Sequence, residues 1–313
     1  MNWKTKALIQ RACASLPVGS EAAYYFLQKN LGSLRFAPDP MPNLRDLAGI
    51  AKDLAEAGFT IAGKRVMEVG TGRRLDMPVG LYLLGASSVE TYDLHPYMKA
   101  ELVEGSLAGM LRNREEVAAL LGPIAGREAV SARLEKLSSV HTARELMDAA
   151  AIRYHAPADA TKTGLPDGSI DLQFSFTVFE HIPGPVLSAI LKEASRILVP
   201  GTGLACHHID PSDHFAHDDQ SISFVNFLQF EESDWAKYND NQFAYHNRLR
   251  VDDYEKIYRE AGHEAVLWRT WKNDRGLKLL EEGSLPLAAR YRGVAVDTLG
   301  TTAVRAITRA RRG

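Results

Sequence analysis

The sequence predicts an α/β protein with a doubly wound, largely parallel sheet, a helical cover at its amino end and insertions between strands. A short apolar strand at 65–69 runs into Gly70-Thr71-Gly72, and a helical stretch follows through Leu84. A second strand covers 88–93, and further strands are predicted at 152–155, 170–175 and 203–209. This order is typical of a parallel sheet, because parallel neighbours need a crossover connection between them.

The composition is that of an ordinary globular protein, with 45% hydrophobic, 24% charged and 8% aromatic residues in 313. The length suggests two domains, or one with large insertions. A net charge of −2 provides no field for gripping nucleic acid, so no nucleic-acid partner is expected. No apolar run approaches the roughly 18 residues of a membrane span, and Cys13 and Cys206 are too few for a disulfide scaffold. We therefore expect a cytoplasmic protein without a transmembrane segment.

Residues 1–60 are predicted to form a helical amino-terminal cover. Apolar residues recur there at helical spacing, and Gly58 supplies a stop signal. The segment Pro38-Asp39-Pro40-Met41-Pro42 predicts a rigid connector between two helices.

Two further segments interrupt the strand–helix rhythm of the remaining domain, residues 61–313. Residues 98–151 carry a helical period, marked by Val130, Leu134 and Leu137, and predict a helical insertion. Residues 210–250 are polar and aromatic with little periodicity, and a long segment after the carboxyl end of a strand is more often functional than a linker.

The sheet is predicted to finish with two helices and two strands. An amphipathic helix over 186–198 ends at Pro200-Gly201, and Asp252 to Glu255 suggest a capping box for another helix. Strands are expected at 265–268 and 303–308. The basic residues at the end predict a solvated tail: Arg305, Arg309, Arg311 and Arg312.

The densest ligand-binding pattern is Glu68-Val69-Gly70-Thr71-Gly72, with Asp93 at the end of the next strand. Two glycines let the backbone approach a ligand closely, and the following helix offers free N–H groups. Asp93 lies 21 positions after Gly72, the spacing of an acidic residue that accepts hydrogen bonds from a ribose. The third glycine of G-x-G-x-x-G is absent, which argues against a dinucleotide.

These residues, with Ala158-Asp159-Ala160, Ile170-Asp171-Leu172 and Phe179-Glu180-His181-Ile182, resemble successive motifs of class I S-adenosylmethionine-dependent methyltransferases over residues 61–210. The resemblance implies a Rossmann-like methyltransferase sheet that binds S-adenosyl-L-methionine. Glu68, Gly70 and Gly72 would surround its methionine portion, Asp93 its ribose and Asp159 its adenine amino group. The neighbours Thr71, Leu94 and Ala160 complete the predicted contact set.

Simpler interpretations stay open for part of this set. The alternative for Asp159 is that it caps Thr161 and the following turn. Glu180 and His181 would serve either chemistry or local capping and packing. The family's third motif glycine has no match here, so Arg73 or Arg74 must take a different loop.

The acceptor side is predicted in the His/Asp-rich segment after the fifth strand, residues 207–219. Methyl transfer to oxygen requires removal of a hydroxyl proton, and a histidine oriented by a carboxylate is a fitting base. His207 and His208 point to opposite faces of the strand, so we expect at most one in the crevice. The base candidates are His208 and His214, oriented by Asp210 or Asp213. The alternative is that any one of these histidines is a loop anchor.

A divalent metal also fits a His/Asp segment, but H-x-D-x-x-D-H matches no specific metal signature, and this interpretation is not favoured. Aromatic, amide and guanidinium groups at 226–250 suit a polyhydroxylated acceptor, and also a lid packed on the core. The stretch is similar to methyltransferases of sugar and polysaccharide assembly. The predicted function is O-methylation of a sugar or glycan hydroxyl. The rivals are a nicotinamide-dependent oxidoreductase and a non-catalytic S-adenosylmethionine-binding module.

Overall fold

The computed structural model describes residues 1–30, 32, 34 and 38–311, and these form one mixed sheet of seven strands in the order β3-β2-β1-β4-β5-β7-β6. Strands β1 to β5 are parallel, and β7 runs antiparallel to both β5 and β6. The strands are β1 (Arg65–Val69), β2 (Ser88–Tyr92), β3 (Ile152–His155), β4 (Leu172–Phe176), β5 (Leu204–Ile209), β6 (His263–Lys272) and β7 (Thr301–Ala310). The strand order reverses between β1 and β4, which confirms the doubly wound fold and places a crevice there.

Helices cover both faces of this sheet. In the described ranges they are α1 (Trp3–Ala14), α2 (Ser20–Asn30), α3 (Met41–Glu56), α4 (Asp76–Leu83), α5 (Ala100–Arg112), α6 (Arg114–Ala125), α7 (Arg127–Leu137), α8 (Ala143–Ala149), α9 (Gly184–Ile197), α10 (Glu232–Asn239), α11 (Val251–Glu260), α12 (Asp274–Glu281) and α13 (Val296–Leu299). Helices α5 to α8 lie between β2 and β3. None of the helices in the described ranges has the length and apolar character that a bilayer crossing needs.

Three apolar clusters hold these layers together. One joins α3 to α8 with the first face of the sheet, and a second packs α9 and α11 against the opposite face. The third lies away from the sheet and joins α1 to the 210–250 segment, around Trp3 and Trp235. The amino-terminal helices therefore pack in two different places. Helix α3 packs on the sheet, whereas α1 packs on the segment that follows β5.

Two sequence expectations about the last third of the chain are wrong. Arg305 is not in a solvated tail but lies buried in β7, where its Nη1 donates to Asp53 Oδ2 at 2.6 Å. Arg311 follows that strand in an exposed position, and Arg312 lies outside the described residues. Helix α11 is capped by Arg250 rather than Asp252, because the Asp253 carboxylate accepts from the Arg250 N–H at 2.9 Å.

Final strands β6 and β7 are each ten residues long, which is longer than the sequence pattern indicates. They pair with each other along their whole length with two register irregularities. Antiparallel pairing satisfies the backbone groups outside the apolar segment, so the strands extend beyond the residues that carry a core-facing pattern.

Helix α1 is fastened through Trp3, which is 5% exposed and contacts Phe215, Trp235 and Tyr238 with ring centroids 4.7 to 6.1 Å apart. We expect Trp3→Ala to lower the free energy of unfolding by about 3 kcal/mol, since it removes a large aromatic contact. Denaturant titration, with limited proteolysis after α1, measures this. The matched control is Leu8→Ala on the same helix, where the side chain is 68% exposed. Equal stability of the two variants would contradict the packing assigned to α1.

Candidate functional site

A cavity of about 250 Å³ opens at the carboxyl end of β1, where the strand order reverses. Its walls come from the end of β1, the glycine turn, the start of α4 and residues 176–178 after β4. Glu68, Gly70, Thr71 and Gly72, all predicted from the sequence to contact the cofactor, line it. We call it the β1 cavity.

The backbone geometry of the turn after β1 requires a glycine at position 70. This residue has φ +86°, and a Cβ built there would lie 2.4 Å from Val178 Cγ2. A side chain at this position would therefore separate the β1 turn from the loop after β4. Gly72 also has a positive φ, and its N–H donates to Asp93 Oδ2 at 2.8 Å.

Glu68 is a buried carboxyl group at the wall of the β1 cavity. Thr91 Oγ1 donates to its Oε2, and Thr71 Oγ1 lies 2.6 Å from Thr91 Oγ1. Burial raises the pKa of Glu68 to about 8. The carboxyl group is thus protonated at neutral pH, and a cationic ligand group beside it would favour its ionised form.

Asp93 and Asp159 lie near this edge of the sheet but do not line the β1 cavity. Asp93 accepts from Gly72 N–H and His95 N–H, and burial raises its pKa. Asp159 is exposed, and its Oδ1 accepts from Thr161 N–H at 2.8 Å, the capping contact left open above. Leu94 is exposed and Ala160 is half-buried. The contacts of Asp93 with a ribose and of Asp159 with an adenine amino group therefore stay predictions.

Arg73 shows how the loop accommodates the missing glycine. Its Nη1 lies 2.7 Å from Glu21 Oε1 of α2, and its guanidinium group stacks 4.8 Å from the Tyr25 ring centroid. Lys99 Nζ also donates to Glu21, at 3.2 Å. Arg74 turns the other way, toward Asp76. Arg73 therefore fastens α2 to the edge of the β1 cavity.

A second cavity of about 170 Å³ lies beside the segment after β5. It is lined by residues of α1, α2, the loop after β4, and the 210–250 segment: Lys6, Gln10, Tyr24, His181, Asp213, His214, Phe215, Phe227, Trp235, Asn239, Phe243, Ala244 and His246. We call it the histidine cavity. Residues 176–178 line the β1 cavity and His181 lines this one, so one short loop connects the two.

Asp210 is at the centre of a group of imidazoles. Its Oδ2 lies 3.2 Å from His217 Nε2 and 3.5 Å from His214 Nε2. The His214 ring is 4.9 Å from that of His181 and 4.8 Å from that of His246. Burial by itself would raise the pKa of Asp210, but the contacts with His214 and His217 hold it well below its usual value.

The structure separates the two predicted base candidates. His208 Nδ1 accepts from Arg305 Nη2 at 3.3 Å, and burial, followed by the Arg305 charge, lowers the pKa of His208 to about 4. A neutral ring that accepts at Nδ1 carries its hydrogen on Nε2, so it has no free nitrogen for a further proton. His214 instead lines the histidine cavity and pairs with Asp210. The strand alternation is as expected, because His207 is buried on the opposite face against Tyr258.

Asp213 does not orient a histidine in the described part of the chain. Its carboxylate accepts from Phe215 N–H at 2.9 Å and from Asn226 Nδ2 at 3.0 Å. Of the predicted pairs, the structure therefore brings together His214 and Asp210.

Most aromatic and basic residues of the 210–250 segment support the loop rather than face a ligand. Trp235 and Phe227 are almost fully buried in the apolar cluster around Trp3, although both also line the histidine cavity. Arg248 is buried and bonds the carbonyls of Phe227 and Phe230, and Arg250 bonds those of Pro211 and Leu299. Phe243 and Tyr24, stacked 4.4 Å apart, remain at the cavity wall. These contacts are those of a lid packed on the core, the second of the two interpretations that the sequence left open for this segment.

His246 gave no distinct signal in the sequence. It lies 36 residues after Asp210, yet its Nε2 approaches the Asp210 carbonyl at 3.3 Å, a contact that depends on the long return of the loop. Glu180, whose role the sequence left open, is fully buried, and its side chain has no hydrogen-bond partner among the described residues. Its Oε1 is 4.0 Å from His214 Nε2, and burial raises its pKa well above the usual value.

Comparison with known proteins points to a methyltransferase domain in part of the chain. Residues 122–206 match the family model described as a methyltransferase domain, and they run from the end of α6 through α9 to the start of β5. Among solved structures, the chain is similar to an S-adenosylmethionine-dependent methyltransferase from Mesorhizobium loti, at 14% identity over 82% of this chain and 96% of that one, with a TM-score of 0.45. It is also similar to geranyl diphosphate C-methyltransferase from Streptomyces coelicolor, at 14% identity over 97% and 88%, with a TM-score of 0.46. No curated protein matches the sequence.

The family match is to a methyltransferase, which favours this assignment over the nicotinamide-dependent oxidoreductase. The strand order of the sheet agrees with it. The β1 cavity lies at the switch point of the sheet, where this fold binds a nucleoside ligand. Residues 122–206 are therefore similar to a methyltransferase domain, and they lie in a chain whose sheet has the doubly wound strand order.

Proposed function

We propose that the protein transfers a methyl group from S-adenosylmethionine to a hydroxyl of a sugar or glycan unit. The observation that carries this proposal is that His214, which is paired with Asp210, lines a cavity that shares the loop after β4 with the β1 cavity. Residues 61–313 would form the catalytic domain, and residues 1–60 with 210–250 would build the acceptor cavity. Buried, free Cys13 and Cys206 agree with a reducing cytoplasm.

The β1 cavity fits the methionine end of S-adenosylmethionine. The side-chain-free turn at Gly70 and Gly72 leaves backbone N–H groups accessible, and Glu68 supplies a carboxyl group for an ammonium. When bound, S-adenosylmethionine supplies an electrophilic methyl group, which forms a bond to the acceptor oxygen as its bond to sulfur breaks and the electron pair stays on sulfur.

The residues of the histidine cavity would hold the acceptor and accept its proton. Asp210 lies against His214 and would stabilise the imidazolium that forms when the hydroxyl proton arrives. A cavity of about 170 Å³ is smaller than the ~300 Å³ that begins the usual range for whole small-molecule sites. It therefore suits one ring of an acceptor, with the stacked Tyr24 and Phe243 as an apolar wall.

The proposal is tested by incubating the untagged protein with methyl-labelled S-adenosylmethionine and a panel of monosaccharides, nucleotide sugars and oligosaccharides, with amine and thiol acceptors alongside. We expect labelled methyl ethers from members of the sugar panel. Label transferred only to nitrogen or sulfur would contradict the hydroxyl acceptor. Binding of S-adenosylmethionine without transfer to any compound would instead support the non-catalytic binding module.

For the base, we expect His214→Ala to lower turnover at least 100-fold while the affinity for S-adenosylhomocysteine changes less than twofold, because general-base catalysis contributes about 10²–10⁴-fold. His208→Ala should lose far less, since that ring is occupied by Arg305. Product formation and calorimetry measure the two effects. The matched control is His141→Ala, an exposed histidine between α7 and α8. Greater loss in His208→Ala than in His214→Ala would reverse the assignment.

For the cofactor, we expect S-adenosylhomocysteine binding at pH 7 to release about one proton from Glu68, because its pKa of about 8 must fall when an ammonium pairs with the carboxylate. Affinity should fall as the pH drops below about 8 and level off above it. Calorimetry in buffers of different ionisation enthalpy measures the release. Glu68→Gln should abolish it.

The matched control is Glu90→Gln, a buried carboxylate on the neighbouring strand that pairs with Arg153 and His155. This variant should keep the proton release of the original protein. A release that is unchanged in Glu68→Gln would assign the proton to another group.

A further inference from the structure

We propose that Asp210, His214 and His217 bind one divalent transition-metal cation, and that a hydroxyl oxygen of the acceptor completes its coordination in the histidine cavity. The inference rests on the proposed function for the identity of that last ligand. The binding of the cation itself follows from the side chains and can be measured without any acceptor.

The first observation is the convergence of three donor atoms. His214 Nε2 and His217 Nε2 approach the same oxygen, Asp210 Oδ2, at 3.5 and 3.2 Å, and the three atoms all lie within 4.8 Å of one another. Two nitrogen or oxygen ligands of an ion, each about 2.1 Å from it, lie about 3.0–3.4 Å apart in octahedral or tetrahedral geometry. The two distances to Asp210 Oδ2 are close to that spacing, and the two imidazole nitrogens are within 4.8 Å of each other.

The second observation is Glu180 on the inner side of this group. Its carboxyl group is fully buried, neither oxygen has a hydrogen-bond partner among the described residues, and Oε1 lies 4.0 Å from His214 Nε2. Glu180, His181 and His214 form a second group of converging donor atoms that shares His214 with the first. A cation near His214 Nε2 would favour the ionised form of this buried carboxyl group.

Of the two remaining imidazoles, that of His246 cannot bind a metal ion, whereas that of His181 keeps a free ring nitrogen. His246 Nδ1 accepts from Arg248 N–H at 3.1 Å and its Nε2 contacts the Asp210 carbonyl, so it has no free lone pair for a metal. His181 Nδ1 contacts the Tyr245 carbonyl at 2.8 Å, which leaves Nε2 unprotonated. His217 is more than half exposed on its side chain, so the group is open to solvent and an ion can enter.

Two imidazoles with one carboxylate favour a transition metal such as Zn²⁺, Mn²⁺ or Fe²⁺ over Mg²⁺ or Ca²⁺, which prefer oxygen ligands. A bound cation lowers the pKa of a hydroxyl that coordinates to it. In the loaded site His214 would hold the cation instead of serving as the base of the proposed function, and His181 Nε2 would accept the hydroxyl proton in its place. The oxygen that remains forms the bond to the methyl carbon.

The test uses untagged, chelator-dialysed protein and Co²⁺, whose visible absorption reports nitrogen and oxygen coordination. We expect about one equivalent to bind per chain, and at least tenfold weaker binding in His217→Ala and Asp210→Asn. His217→Ala is the informative variant, because its side chain is largely exposed and its loss should not unfold the protein. His141→Ala serves as the matched control, and affinity for S-adenosylhomocysteine confirms that each variant is folded.

The inference is overturned if the original protein binds no Co²⁺, or if both variants bind it as tightly as the original. It is also overturned if chelator-dialysed protein methylates a hydroxyl acceptor at full rate without added metal, a result that would leave the proposed function intact. Conversely, stoichiometric Co²⁺ binding that is lost in His217→Ala, without methylation of any hydroxyl acceptor, supports the metal site and contradicts the proposed function.

Discussion

The contact between Gly70 and Val178 is the constraint on which both cavities depend. It brings the turn after β1 within van der Waals distance of the loop after β4, and only glycine leaves space for it. One side of that loop then forms a wall of the β1 cavity, and three residues later His181 lines the histidine cavity. The separation of the two sites is thus set by a close backbone approach at the switch point of the sheet.

The segment after β5 owes its shape to buried donors that bond its carbonyl groups. Asn247 Nδ2 donates to the carbonyls of Phe179 and Ile182, while Arg250 holds those of Pro211 and Leu299. A loop of this length has many backbone groups to satisfy, and here side chains satisfy them where a strand or helix would otherwise do so. These bonds hold the segment against the loop after β4, so that Asp210 and His181 are positioned by the same framework.

The sequence was sufficient for the strand order at the core of the fold, because the glycine turn and the spacing of Asp93 are local patterns. It was also sufficient to select His214 as a candidate base and Asp210 as its partner, since they are four positions apart. It could not show that Arg305 pairs with Asp53, because that contact joins residues 252 positions apart. The sequence also could not show that Arg248 and Arg250 are buried. An arginine that binds a sugar and an arginine that binds a carbonyl of its own loop look the same in a sequence.

The attachment of α2 has a kinetic consequence. This helix has no fully buried residue, and charged and aromatic contacts of Glu21 and Tyr25 with Arg73 and Lys99 fasten it to the edge of the β1 cavity. Such contacts weaken as salt screens them, whereas the apolar packing of α3 does not. The dwell time of a nucleoside in the cavity should thus depend on ionic strength, and turnover limited by its departure would quicken in salt while the sheet beneath stays unchanged.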